Sequence, residues 1–378
     1  MINIGLCGFG TVGSGVYKII KENQYLSTLV NIEKILVHNI NKHEDIKALA
    51  TTNYLDIVDN DKIDTVIESI GGTTLAYDII KKSLENHKNV ITANKAVLID
   101  HLEELTILAR KNNVALYFEA SVCGAIPVID TIESINQTDQ VESIEGIING
   151  STNFILTKAF EGLKYSESLK LAKNLGFLES DPTDDLEGYD ALRKLVILSS
   201  ISYHANIDYK NAHLSGISKL SDEIINYAKD KNSVIKFLAK SSVIDNKVSL
   251  IIEPVLFKST SNLANVNNEL NSVSLKLKYA KSITLTGYGA GSLPTASAIV
   301  LDLNKVILGK KYYFNFDNNF ASCGSTGLNK YLIHSSNDID SSLILEKEDN
   351  IYLTKEVTNE EISSYLANSI CYVRVDEE

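Results

Sequence analysis

From Met1 to about Ser121, short apolar runs alternate with longer stretches whose apolar positions recur at helical spacing. This alternation predicts strand, helix, strand units laid into a parallel sheet. The candidate strands are Ile2–Cys7, Ile32–Val37, Thr65–Ser69, Asn89–Thr92 and Ala115–Glu119, with helices beginning near Thr11, Thr73 and His101. From about Val122 to Leu308 the texture changes. Strand-like pieces at Val141–Ile148, Val248–Val255 and Ser282–Thr286 mix with helical ones at Thr152–Glu161, Ser166–Asn174 and Tyr189–Ser200, which predicts an α+β unit with a mixed or antiparallel sheet. The segment GYGAGSLPTASAIVLDLNKVIL reads as a Gly-rich loop and a helix that returns to the first domain. In the final stretch, KYLIHSS, SSLILEK and NIYLTKE are short strands, EVTNEEISSYLAN a capped helix and ICYVRVDE a closing strand. The expected division is 1–125 completed by a helix near 293–308, then 126–292, then a small unit at 310–378. No repeat, heptad or low-complexity tract stands out.

The chain opens MINIGLCGFGTVG, which puts Gly8, Gly10 and Gly13 in a GxGxxG spacing directly after the first strand. The spacing alone is weak, but a preceding buried strand and a following helix supply its mechanism. Gly8 makes the tight turn, Gly10 lets the backbone approach a pyrophosphate, and Gly13 allows the helix to lie close on the strand. The phosphates then meet the free N–H groups of a helix N-terminus. A dinucleotide cofactor on a Rossmann-type parallel sheet is therefore the leading expectation.

Bulk composition narrows the class. A chain of 378 residues, 44% of them hydrophobic, supports two or three domains with real cores. Its net charge of −12 argues against nucleic acid or an anionic membrane as partner. No apolar run approaches the ~20 residues needed to cross a bilayer, and the chain starts directly in a strand, so a cytoplasmic protein is expected. Cys7, Cys123, Cys323 and Cys371 are far apart and have no metal-site spacing, which favours reduced thiols.

The residues that carry chemistry cluster later. Glu179, Asp181, Asp184, Asp185, Glu187 and Asp190 crowd the segment GFLESDPTDDLEGYDALRK, followed at once by Arg193 and Lys194. An acidic run is ordinarily a solvated loop. Here Pro182 and Gly188 imply a shaped loop, and Asp190 and Lys194 stand at i and i+4 on one helix, a carboxylate beside an ammonium. Such a pair keeps the amine charged, as a proton donor requires, while the other acids suit a cationic ligand. Lys95, in VITANKAVL, falls past the fourth strand at the carboxyl edge of the sheet, where ligands of open α/β sheets bind.

The segments GFGTVGSGV, TANKAV, EASVCGAIPVIDTI, EGIINGSTNFILTKA, LGFLESDPTDDLEGYDALRKLVILSS and GYGAGSLPTASAIVLDL follow one another over about residues 1–308. In that order the chain resembles homoserine dehydrogenases, with ESDPTDDLEGYDALRK the most specific match. The resemblance implies an α/β fold: an N-terminal Rossmann-type domain, an α+β catalytic and dimerisation domain, and a small C-terminal α+β extension. It also implies interconversion of L-aspartate 4-semialdehyde and L-homoserine with NAD or NADP, on the branch to threonine, methionine and isoleucine, by a homodimer or higher oligomer.

By the same resemblance Lys194 is the proton donor, Lys95 assists near the nicotinamide, and Asp190 positions Lys194. Glu179, Asp185 and Ser151 bind substrate; Gly8, Gly10, Thr11, Val12, Gly13, Ile70, Lys95 and Gly291 bind cofactor. Glu119 with the carbonyls of Val122, Gly124 and Ile126 matches a monovalent cation site, sodium for example, although Cys123 stands where the family usually has glycine. A residue at that point is strained if the backbone needs a positive φ.

Beyond the second strand the chain offers His38, Asn39, Asn41, Lys42 and His43, with no acid before Glu44. A missing ribose-binding carboxylate favours NADPH, with Lys42 or the histidines facing the 2′-phosphate. Many bacterial members of the family resembled carry a C-terminal ACT domain. The tail here reads βββαβ, short of that order by one helix, so a reduced ACT-like unit, an oligomerisation element or a remnant is expected, and inhibition by threonine is not claimed from it. Segment 141–155 is the expected subunit contact. Three rivals remain. Tyr77/Lys81 and Tyr227/Lys231 have the spacing of a short-chain dehydrogenase pair, Cys123 is the only tempting nucleophile for a phosphorylating semialdehyde dehydrogenase, and a non-catalytic nucleotide sensor needs no catalytic lysines.

Overall fold

The computed structural model describes residues 1–376. They form two compact units: Met1–Thr138 with Ser200–Asn206 and Tyr288–Asn318, and Asp139–Ser199 with Ile207–Gly287 and the chain from Asn319 onward.

The first unit is built on β1 (Ile2–Cys7), β2 (Val30–Leu36), β3 (Ala50–Thr51), β4 (Thr65–Glu68), β5 (Asn89–Thr92) and β6 (Leu116–Tyr117). All pairs are parallel, in the order β3-β2-β1-β4-β5-β6. Strands covered on both faces read as continuous apolar runs, and Ile4, Leu6, Val66, Ile67, Val90 and Ile91 are all fully buried. The strand order reverses between β1 and β4, so the loops leaving these two strands flank the switch point. Helix Ser292–Ile307 packs on helix Thr11–Glu22, bringing Ala296, Ile299 and Leu303 into one core with Val16 and Ile20.

Several boundaries differ from expectation, β2 running Val30–Leu36 rather than Ile32–Val37, and the short strand β3 was not expected; two shifts bear on the site. The helix assigned from His101 begins at Lys95, because the side chain of Asn94 caps it by accepting the Val97 N–H at 3.2 Å. The last strand ends at Tyr117, and Glu119–Ser121 form a 3₁₀ turn instead.

In the second unit one mixed sheet runs Lys281–Tyr288, Leu270–Leu277, Val141–Ile147, Ser233–Ile244, Lys247–Lys258, Cys371–Val375, Lys330–His334, Ile351–Thr354, Ile344–Glu348. Its spine is the hairpin Ser233–Ile244/Lys247–Lys258, turned by Asp245 and Asn246 at φ +46° and +61°. The first hairpin strand, SVIKFLAKSSVI, escapes the pattern reading because Lys236 and Lys240 interrupt its apolar run. Lys236 is in fact buried, and Lys240 pairs with Glu145 directly across the ladder at 3.2 Å. The tail has the expected βββαβ elements but opens with a further, unexpected strand, Asn318–Cys323, parallel to Lys247–Lys258, and its helix Asn359–Ala367 is closed by a Thr358/Glu361 capping box. Its closing strand adds in parallel to Lys247–Lys258, pairing Val255 with Arg374.

Candidate active site

At the start of the first unit, geometry dictates each glycine. Gly8 has φ +104°, and a Cβ there would lie 2.8 Å from the Ser69 carbonyl oxygen. A Cβ on Gly13 would lie 2.1 Å from the Gly8 oxygen, whereas one on Gly10 would meet no protein atom within 4 Å. Gly10 is the N-cap of helix Thr11–Glu22 and offers no side-chain cap, so Thr11 and Val12 begin a helix whose first turn also lacks an acid. Uncapped N–H groups facing open space suit an anion. Gly291, at φ +121°, precedes helix Ser292–Ile307, and the Ser292 hydroxyl donates to the Thr11 carbonyl, which brings Gly291 beside the cradle. Ile70 sits in the loop leaving β4, and half-buried Lys95 opens the helix after β5. After β2, His38 and Lys42 are exposed and Glu44 is paired with Lys47 at 3.0 Å.

The second unit assembles the acidic segment around one asparagine. Gly188, at φ +89°, lets the chain pass so close to the hairpin that a Cβ would lie 2.7 Å from Ile252. The following helix, Tyr189–Ser202, holds Asp190 and Lys194 on one face, with Lys194 Nζ 2.7 Å from Asp190 Oδ2 and both side chains largely buried. Lys194 also donates to the Ile148 carbonyl at 2.9 Å. The next residue, Asn149, donates to Asp185 at 2.7 Å and to Asp190 at 2.9 Å, and its oxygen caps helix Gly150–Phe160. Asn149 was missed in the sequence; its one local signal is a cap position just after an apolar strand.

The other acids divide by partner. Asp181 accepts from the Thr183 amide and hydroxyl, which hold its carboxyl below the usual range. Asp184 pairs with Arg193 at 2.6 Å. Glu179 is exposed on the loop before Pro182, and the Ser151 hydroxyl donates to the Phe177 carbonyl at 2.7 Å.

Glu119 is buried in the first unit, its two oxygens accepting the N–H groups of Ile129 and Asp130 at 2.8 and 2.7 Å. Burial, with Asp302 beside it, holds this carboxyl above the usual range. Asp302 accepts the Glu119 N–H and pairs with Lys305 at 2.9 Å. In the adjoining turn, Cys123 is buried at φ +53° and Gly124 lies at φ +54°, so the cysteine does occupy a left-handed position. The Ile126 carbonyl accepts from Val128 at 2.8 Å. Among the described residues no three His, Cys, Asp or Glu side chains converge as a metal site. The lysines of the rival Tyr/Lys pairs are engaged by nearby acids: Lys81 and half-buried Tyr77 both bond Glu104, and Lys231, beside buried Tyr227, pairs with Glu346.

Known proteins resemble this chain over most of its length. The family models described as homoserine dehydrogenase, NAD binding domain, and homoserine dehydrogenase match residues 8–119 and 127–303. The homoserine dehydrogenase of Bacillus subtilis is 38% identical over 81% of this chain and 73% of its own. That of Pseudomonas aeruginosa is 37% identical over 81% and 72%. The crystal structure of a homoserine dehydrogenase from Thiobacillus denitrificans superposes with a TM-score of 0.88 at 30% identity, covering 99% of this chain and 98% of that one. A hyperthermophilic archaeal homoserine dehydrogenase in complex with NADPH gives 0.71 at 25% identity, covering 82% and 99%. The chain belongs to the homoserine dehydrogenase family, a family of NAD(P)-dependent oxidoreductases.

Proposed function

We propose that this chain interconverts L-homoserine and L-aspartate 4-semialdehyde, with Lys194 moving the proton. The observation that carries this reading is the Lys194 ammonium held between Asp190 Oδ2 at 2.7 Å and the Ile148 carbonyl at 2.9 Å. A lysine against a carboxylate stays protonated and aimed, as a general acid must. The cradle from Gly8 to Gly13, with Ile70 and Gly291, fits a nicotinamide dinucleotide, which when bound donates or accepts the hydride. In the reducing direction Lys194 delivers its proton to the aldehyde oxygen as the carbon gains hydride. In the oxidising direction the amine takes the hydroxyl proton back. Asn149 holds Asp190 and Asp185 together, so one side chain sets both the donor and a substrate acid. Glu179 and Asp185 suit the substrate ammonium, Ser151 offers a hydroxyl oxygen, and Lys95 lies at the sheet edge for the nicotinamide side.

The exposed Lys42 and His38, together with the engagement of Glu44 by Lys47, support a preference for NADPH; the archaeal relative carries that cofactor. Lys42→Glu is expected to move the preference toward NADH. The oxygens of Glu119, Val122, Gly124 and Ile126 suit a monovalent cation such as sodium in chemical type. They fit it only in part, since each Glu119 oxygen and the Ile126 carbonyl already accepts an N–H. A cytoplasmic homo-oligomer serving synthesis of threonine, methionine and isoleucine completes the reading. Val141–Ile147 has strand neighbours on both sides, so a subunit contact there would use the sheet face rather than its edge.

The test is absorbance at 340 nm with L-homoserine and NADP⁺ or NAD⁺ at alkaline pH, beside Lys194→Ala. Cofactor reduction by the parent alone supports both reaction and donor. Lys194→Ala within tenfold of the parent would overturn the donor assignment.

A further inference from the structure

The loop leaving β4 contains Gly71 and Gly72 at φ +73° and +71°, and a Cβ on either would touch nothing within 4 Å. Such a pair has no side chains to pack and wide conformational freedom, so the loop holding Ile70 must be fixed from elsewhere. Glu68, the last residue of β4, is fully buried beneath it. One carboxylate oxygen accepts the Ile70 N–H at 2.9 Å, and the other accepts the Thr92 hydroxyl at 2.6 Å. Thr92, also fully buried, accepts in turn the Asn94 N–H at 3.0 Å. Asn94 closes the circuit by donating its side-chain amide to the Gly72 carbonyl at 2.7 Å, while its oxygen caps the helix that Lys95 begins.

We propose that Glu68 is the positioning residue that locks the cofactor loop at Ile70 to the turn carrying Lys95, through Thr92 and Asn94. The inference rests on the reading of Ile70 and Lys95 above. Its donors are neutral groups of these two loops, so the carboxylate does not serve an ion pair there. It spans the two loop exits of neighbouring parallel strands, and both loops then move as one. Glu68→Gln keeps the shape and can still accept from Ile70. Its amide, however, would donate to Thr92, leaving the threonine hydroxyl hydrogen without its acceptor. Thr92→Val cuts the same link from the other side, and Thr92→Ser retains it.

The experiment uses the full chain. NADPH binding is titrated by the fluorescence of the reduced cofactor, and steady-state constants and thermal midpoints are measured for the same samples. Glu68→Gln and Thr92→Val are each expected to weaken NADPH binding about tenfold and to lower kcat by about as much, with the KM for homoserine within about twofold of the parent and Thr92→Ser near parental. Parental NADPH affinity and kcat in folded Glu68→Gln would overturn the proposal. So would a lower midpoint with parental affinity in the folded protein, the signature of a purely structural residue. If the parent turns over no homoserine while the NADPH titration still separates Glu68→Gln from it, the substrate reading fails and the positioning role stands.

Discussion

Lys194 draws its character from two acceptors on different elements, Asp190 one helical turn away and the Ile148 carbonyl at a strand end. Lys194→Ala is expected to lower kcat by about 10²–10⁴-fold, the usual worth of a positioned proton donor, with NADPH affinity unchanged in a fluorescence titration. The pairing with Asp190 was visible in the sequence because i, i+4 spacing on a helix is a local rule. The contribution of Asn149 was not, since it meets Asp190 from 41 residues away. Cys123 poses the opposite case, a residue whose side chain matters less than its backbone. At φ +53° a β-branched side chain is strongly disfavoured, whereas glycine is at ease. Cys123→Gly should therefore remain within about 1 kcal/mol of the parent in denaturant titrations, because relief of strain offsets the loss of the small buried thiol. Cys123→Val should lose more than the glycine variant.

At the scale of the element, the β1–helix turn makes a paired prediction. A Cβ on Gly13 would sit 2.1 Å from backbone, so Gly13→Ala should lower the thermal midpoint. A Cβ on Gly10 would meet no protein atom, so Gly10→Ala should keep the midpoint and weaken NADPH binding. Equal cofactor affinity in Gly10→Ala and the parent would remove the pyrophosphate from this cradle. The buried strand Ser233–Ile244 makes a pH prediction. Lys236 donates to Asn153 and Asn267 oxygens, each at 3.2 Å, and to the Val266 carbonyl, while burial pushes its ammonium down from 10.5 to about 8. Between those values the unfolded lysine holds more protons than the folded one, so its contribution makes stability rise from pH 8 to 10.5 and stay flat below 8. The difference in thermal midpoint between parent and Lys236→Met should change across that window. A constant difference from pH 8 to 10.5 would refute the depressed value.

For the whole molecule, the telling feature is how the tail is joined. Arg374, on the closing strand, reaches the buried Glu253 at 2.5 Å, and His213 lies 3.3 Å from the same carboxylate. Removing one partner of a buried pair strands the other charge, so Arg374→Ala should cost about 3–5 kcal/mol in urea unfolding. Replacing both, as Arg374→Met with Glu253→Leu, should recover most of that loss, because apolar pairs often substitute well for buried ions. The tail thereby continues the second-unit sheet through the Val255 to Arg374 register. The family models end at residue 303, yet the Thiobacillus denitrificans structure superposes over 99% of the chain.

The parallel sheet, the glycine cradle and the Asp190–Lys194 pair were determined by the sequence alone. Each depends on periodicities of two and 3.6 residues or on glycine spacing, which are properties of neighbouring residues. Only tertiary structure decided which distant partners complete each unit. It turned Asn149 toward two acids, buried Lys236 in a strand whose lysines hide its pattern, closed the Glu68–Thr92–Asn94 circuit, and set the tail beside the central hairpin. These contacts link residues far apart in the chain, and a buried polar group takes its partner from whatever donor the completed fold brings within reach.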